Sequence, residues 1–289
     1  MILVTGITGH LGKAVLNHLL KKVEPQELAA LARNREKSLW AKAKGVDVKL
    51  ADYNDYSSLV RAFTGVDKVY FVSGNDVLKR DQQHINIIAA AKECGVKHVV
   101  YTSFQRANDD PESPIAFATR CHWQTEKLLV GSGLTYTILR HALYMDGLPM
   151  FLGEKVLKSG TIFLPAGTGK AAFAMRSELA EAGANVLLTE GHENKVYELS
   201  GPDAYSFDHI ANILSDISGK IIRYVSPSVD SFKQELSTTG TSAQIISVVA
   251  GFSDGIKQGE FSSTGPALEI LLGRKPMDIR DFLTNVYMR

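Results

Sequence analysis

The chain has 289 residues, 45% of them hydrophobic and 22% charged, which suits one large α/β domain or a core domain with a smaller lobe. Its net charge of +1 gives no basic face for nucleic acid, and Cys94 and Cys121, far apart and outside any C-x-x-C, point to a reduced, cytoplasmic setting rather than a zinc site or disulfide framework. No apolar run approaches the ~18–20 residues of a membrane span, the apolar start is too short for a secretory leader, the histidine spacings suggest no metal site, and no G-x-S-x-G elbow marks an esterase.

Ile2 to Val4 is a short apolar run followed by glycines at 6, 9 and 12, after which Leu11, Val15, Leu19 and Leu20 recur with helical period. This reads as strand, glycine turn, helix. Gly6 reverses the chain, Gly9 leaves room for a phosphate, and Gly12 lets the helix lie close to the strand. The helix start would offer free N–H groups and a positive dipole end to an anion, as in dinucleotide sites. The spacing is G-x-x-G-x-x-G rather than G-x-G-x-x-G, so a tight βα turn without ligand is the competing reading.

Gln26 to Ala32 predicts the second strand, ending at Arg33. The residue after this strand, about twenty positions beyond the glycine turn, faces the adenosine ribose in such folds, where a cation accepts the 2′-phosphate of NADP and an acid binds the 2′-hydroxyl of NAD. Arg33, supported by Arg35 and Lys37, therefore favours NADPH over NADH. Val46 to Leu50 alternates as a third strand. Asp52 after it either accepts from an adenine amino group or caps the helix from about residue 55 to Phe63. Lys68 to Gly74 is a fourth strand ending in small residues, Arg80 to Cys94 a helix stopped at Gly95, and Val96 to Thr102 a fifth strand with Ser103 at its tip. Matched βα units imply a parallel, right-handed sheet.

Ile115 to Val130 is a helix, Leu134 to Leu139 a sixth strand, and Arg140-His141 follows it. From here the pattern becomes irregular. Residues 151–158 read as helical, 161–164 as a strand, 166–169 as a turn, 177–189 as a helix and 195–199 as a strand. Ser206 caps a helix to Ile217. Lys220 to Val225 is a strand, 230–236 a helix, 242–251 a buried apolar stretch, and 280–287 a closing helix. The division expected is a dinucleotide-binding core over 1–145, to which later segments return, and a mainly substrate-binding lobe over 146–289, facing the carboxyl ends of the strands.

Several segments together carry a resemblance: the opening turn, Arg33-Asn34, Ala51-Asp52-Tyr53, Tyr101-Thr102-Ser103, His122 with Thr125-Glu126-Lys127, Thr137 to Arg140, and Gly191 to Leu199. They resemble the NmrA-like branch of the atypical short-chain dehydrogenases, and within it the bacterial NAD(P)H:quinone oxidoreductases and triphenylmethane dye reductases. The resemblance implies a Rossmann-type doubly wound parallel sheet, a smaller C-terminal α/β substrate lobe, and NADP(H) as cofactor. It carries the cofactor contacts onto Gly6, Thr8, Gly9, His10, Leu11, Gly12, Arg33, Ser73 and Gly74, with Arg140 and His141 toward the nicotinamide end. His10 stands where close relatives often carry Gln. Asn75-Asp76 sets an acid near the phosphate path, with no role evident.

Ordinary short-chain dehydrogenases use Tyr-x-x-x-Lys to manage the carbonyl proton. No tyrosine here has Lys four residues on. The equivalent helix carries His122 and Glu126 on one face, with Lys127 turned about 100° away. His122 either donates to a quinone oxygen or forms a surface pair with Glu126. Tyr144 either lines an acceptor pocket or packs in the core, and Phe151 and Phe163 are packing residues. A quinone needs little proton help, because its hydroquinone anion is protonated by water, and a triarylmethyl cation needs none. The expected function is NADPH-dependent hydride transfer to a quinone or similar conjugated small-molecule acceptor, without flavin, by a monomer or homodimer that engages no membrane. The alternative is a non-catalytic NADP(H)-binding redox sensor of the NmrA type. A sugar-nucleotide isomerase or dehydratase is weaker, since those relatives keep Tyr and Lys.

Overall fold

A computed structural model of the chain describes residues 1–74, 76–153 and 155–288. Its first eleven strands and α-helices run β1 (Ile2–Val4), α1 (His10–Leu19), β2 (Leu28–Ala32), α2 (Leu39–Lys42), β3 (Asp47–Leu50), α3 (Tyr56–Phe63), β4 (Lys68–Phe71), α4 (Arg80–Glu93), β5 (His98–Phe104), α5 (Ala116–Gly131) and β6 (Thr135–His141). With the strand Lys195–Leu199 they form a seven-stranded sheet in the order Lys195–Leu199, β6, β5, β4, β1, β2, β3. Every neighbouring pair is parallel. The chain winds outward from β1 in one direction through β2 and β3, then in the other through β4, β5 and β6. This is the doubly wound Rossmann-type arrangement, and its order reverses between β1 and β4, where ligands settle beyond the strand ends.

The strands are near-continuous apolar runs because helices cover both faces. Leu28 to Ala32 is buried throughout. On one face α1 buries Leu11, Val15, Leu16 and Leu19, each worth about 1.5–3 kcal/mol when fully removed from water. The late helix Arg176–Leu188 packs on the same side. Gly183 lies so close to the Tyr70 hydroxyl that a Cβ there would approach it to 2.5 Å, and Lys22 Nζ donates to Asn185 Oδ1 at 2.8 Å. On the other face α3, α4 and α5 cover a core that includes Leu59, Phe63, Ile87 and Leu129.

While the helix Ala267–Leu272 packs on the core of the main sheet, most of the remaining residues build a separate layered cluster. It contains a three-stranded sheet (Leu143–Tyr144, Lys170–Ala174, Ala204–Ser206) and a two-stranded one (Thr161–Phe163, Arg223–Val225). Helices Phe207–Ser218, Val229–Thr238, Ala243–Lys257 and Ile279–Tyr287 pack around Phe173, Phe207, Phe232 and Phe261. Phe151 is buried here and Phe163 stacks on Phe232, as packing residues. No helix among the described residues is long and apolar enough to cross a membrane.

The structure corrects several local readings. Asp55, not Asp52, caps α3, accepting from Ser58 N at 3.1 Å; Asp52 instead closes a turn with Asn54 N at 2.8 Å. In place of one helix over 151–158 there are two short ones, Pro149–Leu152 and Val156–Ser159, with Gly153 after the first at φ +83°. The stretch 242–251 is only half buried, because its helix turns Ile246, Val249 and Ala250 inward and leaves Ile245 exposed. The strand Lys170–Ala174 and the helix Ala267–Leu272 were not read from the sequence.

Candidate functional site

The carboxyl ends of β1, β2, β4 and β5 open into a cleft of about 570 Å³, within the range of small-molecule sites. Its floor is the glycine turn. Gly6 sits at φ +66°, a conformation that reverses the chain, and an added Cβ would meet Val72 Cβ at 3.0 Å. A Cβ on Gly12 would fall 2.5 Å from the Thr5 and Gly6 carbonyls, so only glycine lets α1 approach β1 this closely. At Gly9 an added Cβ meets nothing nearer than Gly6 O at 3.4 Å. It would project into the open cleft. Gly9 is the N-cap of α1 and supplies no side-chain cap, which leaves the first helical N–H groups turned outward.

Thr8, His10 and Leu11 line this end, and Arg33 stands exposed at the tip of β2. Among the described residues no acid pairs with Arg33. Ser73 and Gly74 form the opposite wall. Side chains hold their loop by each backbone N–H in turn. Thr5 Oγ1 accepts from Val72 N at 2.9 Å, Thr102 Oγ1 from Ser73 N at 3.1 Å, and His84 Nε2 from Gly74 N at 3.2 Å. Tyr53 OH donates to Val72 O at 3.1 Å. Because Nε2 of His84 accepts, its Nδ1 carries the proton and donates to Thr125 Oγ1 at 2.8 Å. Burial, then the Arg80 charge, push His84 down to about 3, so this tautomer is neutral and permanent near pH 7. Asp76 also lines the cleft; Asn75 lies outside the described residues.

The far end is formed by Phe104, His122, Tyr144 and Arg176. Tyr144 is half-buried beneath the Arg176 guanidinium, 4.5 Å from its ring, and Arg176 pairs with Asp146 at 3.0 Å. Burial raises the Tyr144 hydroxyl to about 12, against the pull of Arg176. His122 is 8% exposed, and its Nδ1 lies 2.8 Å from the hydroxyl of fully buried Tyr101. Burial holds that hydroxyl well above its usual range and the imidazole well below its own, with Arg80 as the second cause for His122. Tyr101 therefore stays protonated and donates to Nδ1. His122 must carry its own proton on Nε2, which is not among the buried unpartnered atoms.

His122 and Glu126 do not form a surface pair. Both are buried, and Glu126 turns to other partners. Its carboxylate accepts from Arg106 Nη1 at 3.0 Å and Nη2 at 2.8 Å, from Arg140 Nε at 3.0 Å and Nη2 at 2.6 Å, and from Ser103 Oγ. Arg140 also donates to Glu198 at 3.0 Å. Arg140 and His141 are the last two residues of β6 rather than a segment after it, and neither lines the cleft. Arg140 is consumed by the two glutamates, and His141 is buried with both ring nitrogens unpartnered among the described residues. Lys127 leaves the helix on another side, its Nζ 4.0 Å from the Trp123 ring. Arg80, Gln83, Phe104 and Arg176 line the cleft without having been singled out by sequence.

Residues 1–283 match the NmrA-like family. The chain belongs to that family. Quinone oxidoreductase 2 of Escherichia coli is 34% identical over 287 residues, 99% of each chain. Among solved structures, the Citrobacter sp. triphenylmethane reductase complexed with NADP(H) is 38% identical with a TM-score of 0.91, covering 99% of both chains. The NADPH-dependent quinone oxidoreductase of Escherichia coli complexed with NADPH is 34% identical with a TM-score of 0.92, covering 99% of this chain and 100% of that one.

Proposed function

We propose that this protein transfers hydride from NADPH directly to a quinone or similar flat conjugated acceptor, without flavin, with both held in the cleft. In its coarser form the conclusion is plain: the chain is an NAD(P)H-dependent oxidoreductase, as are full-length relatives in its family. The cleft fits the cofactor. A phosphate has room over Gly9, the uncapped start of α1 favours its charge, and Arg33, which no acid pairs among the described residues, offers a cation for a 2′-phosphate. When bound, the nicotinamide supplies the hydride. The loop Val72 to Gly74, its N–H groups each held by a side chain, would be a fixed wall for the bound cofactor.

The observation that carries the acceptor assignment is the Tyr101–His122 pair beside Phe104 and Tyr144. The Tyr101 hydroxyl fixes the imidazole tautomer with the proton on Nε2, and His122 lines the cleft. His122 is neutral, and losing its remaining proton would leave an imidazolate. It therefore acts as a hydrogen-bond donor that polarises an acceptor oxygen, as neutral imidazoles can. This suffices for a quinone, whose reduced anion takes its proton from water. It does not suffice for a simple ketone, which accords with the missing Tyr-x-x-x-Lys. The aromatic rings position the acceptor and exclude water. Purified flavin-free protein should consume NADPH with saturable dependence on a naphthoquinone. Tight NADPH binding with no turnover on any quinone would sink this reading in favour of a sensor.

A further inference from the structure

Family likeness does not choose between a quinone and a cationic dye as acceptor, since a quinone oxidoreductase at 34% identity and a triphenylmethane reductase at 38% both match over 99% of the chain. Charge does choose, and one residue supplies it. Arg80 opens α4 at the end of the loop that follows β4. Its side chain crosses to α5, where Nη1 donates to Ala118 O at 3.4 Å. Ala118 lies one helical turn before His122, so the two share a face. Arg80 and His122 line the same cleft. The Nε of Arg80 is buried without a partner among the described residues.

Asp81, Asp146 and Glu126 are engaged elsewhere. Asp81, its neighbour in sequence, faces Arg120 at 3.5 Å. Asp146 pairs with Arg176, and Glu126 with Arg106 and Arg140. Asp76 lines the cleft on the loop side and is exposed to water. Among the described residues no carboxylate ion-pairs with Arg80, while Arg176, the other cation at this end, is already balanced. An uncompensated guanidinium beside a neutral imidazole donor is a preorganised site for developing negative charge. Burial and the Arg80 charge keep His122 neutral, so Arg80 holds the net positive charge here.

Resting on the reductase reading above, we infer that Arg80 and the Nε2–H of His122 form an anion-stabilising subsite that commits the protein to acceptors gaining negative charge on reduction and disfavours triarylmethyl cations. Hydride is one proton with two electrons. Added to a quinone, it gives the hydroquinone monoanion while NADPH becomes NADP⁺, and a proton from water completes the hydroquinone. Added to a triarylmethyl cation, it gives a neutral product. In the first case charge builds toward Arg80. In the second a cation must approach it.

The test compares the wild-type protein with Arg80→Met and Arg80→Lys. It reads kcat/KM for 1,4-naphthoquinone and for a triarylmethyl cation, NADPH Kd, and the Kd of ionised 2-hydroxy-1,4-naphthoquinone for NADP⁺-loaded protein. The wild type should prefer the quinone. Arg80→Met should lower the quinone-to-dye ratio about 10- to 100-fold, the loss expected for a hydrogen bond to a charged group, and weaken the anionic ligand by a similar factor. Arg80→Lys should recover part of both, and NADPH Kd should hold. Equal losses on both acceptors, a fall in NADPH binding alone, or no change in the ratio would overturn the subsite while leaving the reductase intact. Loss of anion binding in Arg80→Met, with no turnover by the wild type on either acceptor, would instead retain the subsite and remove the reductase reading.

Discussion

Glu126→Gln probes the frame behind the acceptor end. Glu126 receives four hydrogen bonds from two arginines and one from Ser103, and so joins α5 to β5 and β6. The side chains of Glu126 and Arg106 are only 7% and 2% exposed, so neither charge is returned to water when its partner is lost. Breaking one side of such a buried pair costs about 3–5 kcal/mol. Glutamine keeps a carbonyl oxygen that can accept from one guanidinium, which puts the loss near the lower end, about 3 kcal/mol and a fall in Tm of about 6–12 °C. The pH dependence is specific. Burial pushes the Glu126 carboxyl up, but the hydrogen bonds and charges of Arg106 and Arg140 outweigh it and hold the group below its ordinary value of 4.5. A depressed carboxyl pKa stabilises the folded state above the unfolded value and ceases to do so as pH falls through the folded one. Thermal melts of both proteins from neutral pH downward should therefore show the gap at its full size above the ordinary glutamate range and closing below it. A Tm within about 2 °C of wild type at pH 7, less than 1 kcal/mol in a chain of this size, or a gap that does not change with pH, would refute the reasoning.

Arg33→Ala should weaken NADPH about 10- to 100-fold, the cost of a charge-assisted contact to phosphate, and barely change NADH; equal losses in a titration of both would remove the 2′-phosphate assignment. Gly9→Val should abolish binding of both nucleotides while the melting temperature stays near wild type, because the added atoms enter the cleft rather than the packed turn. Tyr101→Phe frees the His122 tautomer and should lower kcat on a quinone about 5- to 10-fold, one neutral hydrogen bond, without moving NADPH Kd. At saturating NADPH, kcat should be flat from about pH 5 to 8, where an ordinary histidine would titrate, because His122 is held well below that range and Tyr101 well above it; a single-proton step in that window would contradict a neutral donor.

The sheet was legible because its determinants are local. Ile2 to Val4 followed by three glycines, and apolar runs stopped by Gly95 and Gly133, fix strand and helix with little tertiary help. The glycine turn, Arg33, Ser73 and Gly74 could be placed on one cleft because they follow strands whose carboxyl ends must share an edge. His122 and Glu126 were picked out correctly as a face of α5, but their partners come from β5, β6 and the loop at Arg106. No i, i+4 rule reveals that a glutamate facing two arginines will leave the histidine to a tyrosine twenty-one positions earlier. Arg140 and His141 misled because strand alternation weakens at the edge of β6, where the next strand to pair, Lys195–Leu199, lies more than fifty residues on. The strand Lys170–Ala174 is too rich in alanine to announce itself, and its pairing with Ala204–Ser206 exists only in the fold. Arg80 carried a hint, as the first helical residue after a strand at the switch point. Arg176 carried none.

The most direct test of the central claim is a stopped-flow single turnover of flavin-free protein loaded with NADPH or with NADPH deuterated at the transferred position, mixed anaerobically with 1,4-naphthoquinone. Direct transfer predicts a decay of nicotinamide absorbance whose rate saturates with quinone and slows on deuteration. A decay that begins only when flavin is added, or none at all on a protein that binds NADPH tightly, would contradict it.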